Sequence, residues 1–174
     1  MIPEFPNALP VSVRLNEYEI IRVLGLGGFG ITYLGFDHNL EKAVAIKEYL
    51  PNDLAVRAEG NTVHPKSTSD QDDFEWGLAR FAEEARALAR FDHPAIIGVH
   101  RFFQAHETAY IVMEYAEGKT LSELLEESGP LDESEVLEML EPLLGGLSLV
   151  HEAGLLHRDI KPENVMLSKS GGVK

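Results

Sequence analysis

Between His157 and Asn164 the chain reads His-Arg-Asp-Ile-Lys-Pro-Glu-Asn, which places a carboxylate, two cations and an amide within eight residues. Asp159 is a candidate to take a proton from an attacking hydroxyl. Lys161 is suited to neutralise charge on a phosphoryl group in transit, and Asn164 offers a hard oxygen of the kind Mg²⁺ prefers. A solvated polar turn uses the same residue types. The weight therefore falls on what the rest of the chain carries.

A loop of this kind needs elements to hold it and a second set of groups to hold phosphate. Leu24-Gly25-Leu26-Gly27-Gly28-Phe29-Gly30 lies between two β-rich runs, one with Ile20, Ile21 and Val23, the other Ile31-Thr32-Tyr33-Leu34. A G-x-G-x-x-G spacing alone is weak, because βαβ dinucleotide units carry it too. Those units open a helix at the last glycine, whereas Ile31 to Leu34 is β-branched and aromatic, with Gly35 close behind. The segment predicts a hairpin, and a dinucleotide-dependent oxidoreductase fails on it. Ala43 to Lys47 predicts a third strand in which Ala45 and Lys47 share a face. In Arg80 to Arg90, Phe81, Ala85 and Leu88 recur at helical spacing, with Glu84 beside that buried stripe. Two further β-rich stretches follow, Val99 to Gln104 and Tyr110 to Glu114. Thr120-x-x-Glu123 and Asp132-x-x-Glu135 are capping patterns opening two helices, the second running to about Glu152 and stopping at Gly154. Pro142 is expected to kink or loosen that helix, and Gly145-Gly146 to weaken it further. Val165-Met166-Leu167 reads as a short strand.

Taken together, the His157–Asn164 loop, the glycine-rich hairpin and Val44-Ala45-Ile46-Lys47 resemble the motifs of the eukaryotic-type serine/threonine protein kinases, in a bacterial subgroup. The Lys-Glu-Tyr-Leu-Pro opening after the third strand and Phe74-Glu75-Trp76-Gly77 are similar to that subgroup. The resemblance implies an α+β, protein-kinase-like fold: a five-stranded antiparallel sheet with one long helix, then the first helices and the catalytic loop of an incomplete helical lobe. It covers Tyr18 to Lys174. It implies an extended lead-in over 1–17, a first lobe over 18–114 with an insertion at about 51–73, and a hinge and partial second lobe over 115–174. Arg57, Val63 and Pro65 within the insertion suggest a small ribbon that packs the lobe.

The roles implied are these. Asp159 is the base, Lys161 the charge neutraliser and Asn164 a Mg²⁺ ligand. Lys47 reaches the α- and β-phosphates of ATP, and Glu84, the glutamate before alanine, pairs with it in preference to Glu83. At ~4 Å and an effective dielectric near ~20 such a pair attracts by about 4 kcal/mol before desolvation. Its net stabilisation is near zero. Leu24, Gly25, Leu26, Gly27, Gly28, Phe29 and Gly30 cover the nucleotide. Ala45 leaves room for adenine, Met113 and Met166 line its site, and backbone atoms of Glu114 and Ala116 read its edge. Thr32 stands where valine is usual and adds a hydroxyl to the pocket. The cofactors implied are ATP and Mg²⁺, and the substrates are proteins phosphorylated on Ser or Thr.

Composition narrows the remaining classes. At 174 residues the chain can bury roughly 70% of its unfolded surface around one core. With 44% hydrophobic and 25% charged residues it is not a disordered chain. The 29 acidic residues against 15 basic give a net charge of −14, a field that opposes nucleic acid, anionic membranes and ATP at long range. Any phosphate site must therefore be built locally. There is no cysteine, which excludes disulfides and thiolate chemistry, and the histidines show no metal-ligand spacing. Neither a signal peptide nor a membrane-length apolar run is present, so the expectation is a cytoplasmic protein with no membrane segment in this chain. Val173-Lys174 is similar to the strand before an Asp-Phe-Gly motif, and the motif and activation segment are absent from the chain. Two readings follow: a serine/threonine kinase whose chain as given is truncated and inactive alone, or a naturally truncated kinase-like module that binds nucleotide or protein without catalysis. Lys161, two residues after Asp159, is the serine/threonine-type arrangement.

Overall fold

The computed structural model describes Phe5, residues 7–169 and residues 171–174. Two compact units result, Met1–Ala89 with Val99–Tyr115, and Arg90–Gly98 with Ala116–Lys174. Each is described by itself.

In the first unit, alternating apolar residues build a sheet. Its elements in order are β1 (Arg14–Leu15), β2 (Tyr18–Gly27), β3 (Gly30–Asp37), β4 (Lys42–Tyr49), β5 (Ala55–Arg57), β6 (Val63–Pro65), α1 (Gln71–Leu88), β7 (Val99–Ala105) and β8 (Thr108–Glu114). The main sheet has the order β1-β2-β3-β4-β8-β7 and is antiparallel throughout. The five expected strands are all present, and β1 adds a sixth at the edge. Strand β1 pairs Leu15 with Tyr18 across a tight turn in which Asn16 has φ 57. Leu9 and Leu15 are both buried in the core, so the expected lead-in is part of the packed unit from Leu9 onward. Residues 1–4 and 6 of that lead-in lie outside the described residues.

Strand β4 is central. Alternation sends Val44, Ile46 and Glu48 to one face of the sheet and Ala45, Lys47 and Tyr49 to the other. Helix α1 starts at Gln71, ahead of the periodic stretch that marked it in the sequence, and buries Phe74, Phe81, Ala82 and Ala85. The ribbon expected in the insertion is there: β5 and β6 pair antiparallel, with Ala55 opposite Pro65 and Arg57 opposite Val63. Ala55 and Val63 join the core.

The second unit holds β9 (Gly118–Thr120), α2 (Leu121–Ser128), α3 (Glu133–Glu152) and β10 (Met166–Ser168). Both capping patterns form complete capping boxes, Thr120 with Glu123 and Asp132 with Glu135. Each satisfies two of the backbone N–H groups a helix start leaves open. Helix α3 runs as one element through Pro142 and Gly145-Gly146. The glycines have a packing reason: a Cβ on Gly145 would lie 3.3 Å from the His93 ring and one on Gly146 3.2 Å from both His93 and Ile96. They let the His93–Ile96 turn seat against the helix. Gly154, at φ 76, takes the left-handed position that ends it. No helix among the described residues is long and apolar enough to cross a membrane.

Candidate functional site

The residues singled out by the sequence fall in both units. In the first, the register of β2, β3, β4 and β8 aligns Gly25 with Thr32, Thr32 with Lys47, and Ala45 with Met113. Cross-strand partners share a face, so Gly25, Thr32, Ala45, Lys47 and Met113 lie on one side of the sheet. Ala45 is buried, while Thr32, Lys47, Met113 and Glu114 are half-buried. Leu24 sits at a register shift between Val23 and Gly25, where β2 bulges.

The hairpin between β2 and β3 separates its glycines into two kinds. At Gly30 a Cβ would lie 1.8 Å from the Glu48 carbonyl oxygen, and φ is 155. The protein's own packing demands glycine there. At Gly25 and Gly28 a Cβ would meet nothing within 4 Å, and at Gly27 the nearest atom is 3.9 Å away. Packing leaves those three unexplained, and bare backbone facing open space is what close approach by an anionic group requires. Leu26 and Phe29 are exposed at 51% and 71%, so the hairpin tip is not held by burial. The Phe29 carbonyl does accept from the Leu50 N–H at 3.0 Å, which ties the tip to the end of β4.

Lys47 donates from Nζ to Glu84 Oε1 at 3.0 Å and lies over the Phe81 ring, 5.6 Å from its centre. Glu83 points elsewhere and accepts from Arg80 at 2.7 Å. Helical geometry separates the two glutamates: only Glu84 flanks the buried Phe81–Ala85 stripe on the Lys47 side. The pair is partly exposed, Lys47 at 30% and Glu84 at 48%, so it directs the ammonium more than it stabilises the fold.

In the second unit the loop following α3 is built around Asp159. The Asn164 side-chain amide donates to the Asp159 carboxylate at 2.8 Å and to its carbonyl at 2.9 Å. Lys161 Nζ stands 3.3 Å from the other carboxylate oxygen, and the Asp159 N–H donates to His157 Nδ1 at 3.3 Å. Arg158 takes φ 64, which turns the chain so that these groups converge. The Asn164 hydrogen bond, then Lys161, hold the Asp159 carboxyl below the usual carboxylate range. With its nitrogen committed to Asp159, Asn164 has its amide oxygen left to ligate a cation. Pro162–Asn164 forms a 3₁₀ turn, and the Val165 carbonyl accepts from the Leu121 N–H at 2.8 Å. Met166 pairs with Thr120, four residues beyond Ala116 and within the same unit.

Sequence reasoning missed one group beside Lys47. Glu48 is fully buried and accepts from Arg57 at 2.5 Å and from the hydroxyls of Tyr33 and Tyr110 at 2.7 Å each. Arg57 also donates to the carbonyls of Asn7 and Asn61, and Tyr33 accepts from the Leu9 N–H at 3.0 Å. Burial opposes the charge on Arg57, but Glu48 overrides it and holds the guanidinium above its ordinary value. Both tyrosines are pushed upward by burial and by the Glu48 charge, so they stay protonated donors. The signal was a glutamate in the middle of an apolar strand.

A fold with this sheet, this helix and these two constellations defines a class. Residues 18–174 match the protein kinase domain family, and the chain belongs to it. Its relatives within that family include bacterial serine/threonine-protein kinases. It is 38% identical over 166 residues to the serine/threonine-protein kinase pkn2 of Myxococcus xanthus, covering 95% of this chain and 17% of that protein. It is 37% identical over 159 residues to PknL of Mycobacterium tuberculosis, covering 91% of this chain and 35% of that protein. Among solved structures, the apo form of PpkA-294 superposes with a TM-score of 0.90 at 39% identity, over 96% of this chain and 60% of its own. The M. tuberculosis PknI kinase domain gives 0.71 at 28%, over 95% and 59%. The chain thus spans well under half the length of these curated relatives.

Proposed function

We propose that this chain carries out the nucleotide-binding and proton-accepting part of an ATP-dependent protein serine/threonine kinase acting in the cytoplasm. The observation that carries the reading is the convergence of Asn164 and Lys161 on the Asp159 carboxylate, in a chain whose Lys47 is already directed by Glu84.

In the first unit, the unfilled backbone at Gly25, Gly27 and Gly28 suits the triphosphate, and Lys47 supplies positive charge to its α- and β-phosphates. Ala45, Thr32 and Met113, on the same sheet face, suit the base, with backbone atoms of Glu114 reading its edge. In the second unit, Asp159 accepts the proton of a protein Ser or Thr hydroxyl. Its lowered proton affinity keeps it ionised at neutral pH, and Lys161 balances charge on the phosphoryl group as it moves. The Asn164 oxygen would hold Mg²⁺, which neutralises phosphate charge when bound. In the second unit, Ala116 and Met166 are suited to contact a base. Each residue type that the reading needs up to Asn164 is present in the sequence, and no observation favours the non-catalytic alternative.

The test uses the full-length protein that carries this chain. Incubated with γ-labelled ATP and a generic protein substrate, it should yield phosphoserine or phosphothreonine. Asp159→Asn should lower the rate on the order of 10²- to 10⁴-fold. No label transfer by the unmodified protein would overturn the assignment.

A further inference from the structure

Lys47 and Glu84 meet only if α1 lies at one position along β4, and a single ion pair with both partners partly exposed is a weak way to fix an 18-residue helix. The structure holds a second attachment. Tyr49, two residues beyond Lys47 on the same face, is 1% exposed and donates its hydroxyl to the Phe74 carbonyl at 3.2 Å, in the first turns of α1. Its ring packs on Phe74 and Phe81 at 5.2 and 5.5 Å between centres. The ring passes directly under Gly77, where a Cβ would lie 2.1 Å from the Tyr49 oxygen and 3.0 Å from Cζ. Glycine inside a helix costs about 1 kcal/mol against alanine, and no left-handed backbone here requires it. Space for the tyrosine is what it provides.

We propose that Tyr49 and Gly77 are positioning residues: they pin the start of α1 to β4 so that Glu84, ten residues beyond Phe74, arrives opposite Lys47. At 1.5 Å of rise per residue the two attachments are about 15 Å apart, far enough to set both the position and the tilt of the helix. Phe81 belongs to both, touching the Tyr49 ring and lying under the Lys47 ammonium. This deepens the reading of Lys47 and Glu84 given above and rests on it for its catalytic consequence.

The readout is chosen to be independent of phosphotransfer. In the full-length protein, acylation of Lys47 by an N-hydroxysuccinimide acetate, followed by peptide mass spectrometry, reports whether its amine is engaged. Gly77→Ala should raise Lys47 labelling several-fold over exposed Lys66, and Glu84→Gln should do the same. Gly77→Ala added to Glu84→Gln should raise it no further, because both act through one pair. Removing the hydroxyl as well, in Tyr49→Phe with Gly77→Ala, should bring labelling partway back. The Gly77→Ala protein should also lose about tenfold to a hundredfold in kcat/KM. If Gly77→Ala does not fold, Tyr49→Phe, which keeps the ring, decides by the same measurement. Lys47 labelling at the unmodified rate in a folded Gly77→Ala or Tyr49→Phe protein overturns the pin. Labelling that responds in a protein with no phosphotransfer leaves the pin standing and overturns the kinase assignment instead.

Discussion

Asp159 is an exposed carboxylate, and its acidity is set by two neighbours rather than by burial. The Asn164 amide is the larger influence and Lys161 the next, and both favour the charged form. A carboxyl lowered in the folded state adds stability that is present above its ordinary value of about 3.9 and lost as pH falls through the lowered one. Asn164→Ala should therefore move the Asp159 titration upward, toward the ordinary value, as read from its carboxyl carbon by NMR. An unchanged midpoint would show that Asn164 does not act on it. The residue types and spacing of this loop were legible in the sequence because chemistry requires them. The Arg158 backbone at φ 64 was not, because any residue type can be forced there by what surrounds it. Glu84 was distinguished from Glu83 by its neighbour Ala85, and the geometry has the same preference.

The hairpin between β2 and β3 shows how one motif combines a glycine that packing requires with glycines that packing does not. Gly30→Ala drives a methyl into the Glu48 carbonyl and should destabilise the protein by about 3 kcal/mol, measured by denaturant unfolding. Gly28→Ala meets nothing, should leave stability within about 0.5 kcal/mol, and should raise the KM for ATP in the full-length protein. Equal losses of stability at both positions would contradict the division. Strands, capping boxes and the Gly154 stop could be read from sequence because each is decided locally, by alternation, by a side chain three residues away or by a left-handed backbone. What eluded the sequence depends on distant partners. Gly145-Gly146 reads as a weak point until His93 is placed against it, and the packing reason for Gly77 shows only once Tyr49 is placed under it. Leu9 and Leu15 look like part of an extended lead-in until the core that receives them is known.

At the scale of the molecule, β4 divides its alternate residues between two tasks. Lys47 and Tyr49 engage α1, while Glu48 engages Arg57 of the ribbon and, through Arg57 and Tyr33, the segment around Asn7 and Leu9. The β5–β6 ribbon is thus attached to the sheet by a buried ion pair, with Arg57 at 8% and Glu48 at 0% exposure. Arg57→Ala would leave a buried carboxylate without its cation and should cost about 3–5 kcal/mol in unfolding free energy. A loss under about 1 kcal/mol would mean the pair is not buried as described. The −14 charge, read in the sequence as opposing ATP, fits the proposed site, which would rely on bare backbone and one directed lysine instead of a basic field. Lys47 is where these arrangements meet, and the most direct test of the account is phosphotransfer by the full-length protein with Lys47→Met, alongside circular dichroism. The account predicts a protein as folded as the original that no longer transfers phosphate from ATP. Transfer at the original rate would contradict it.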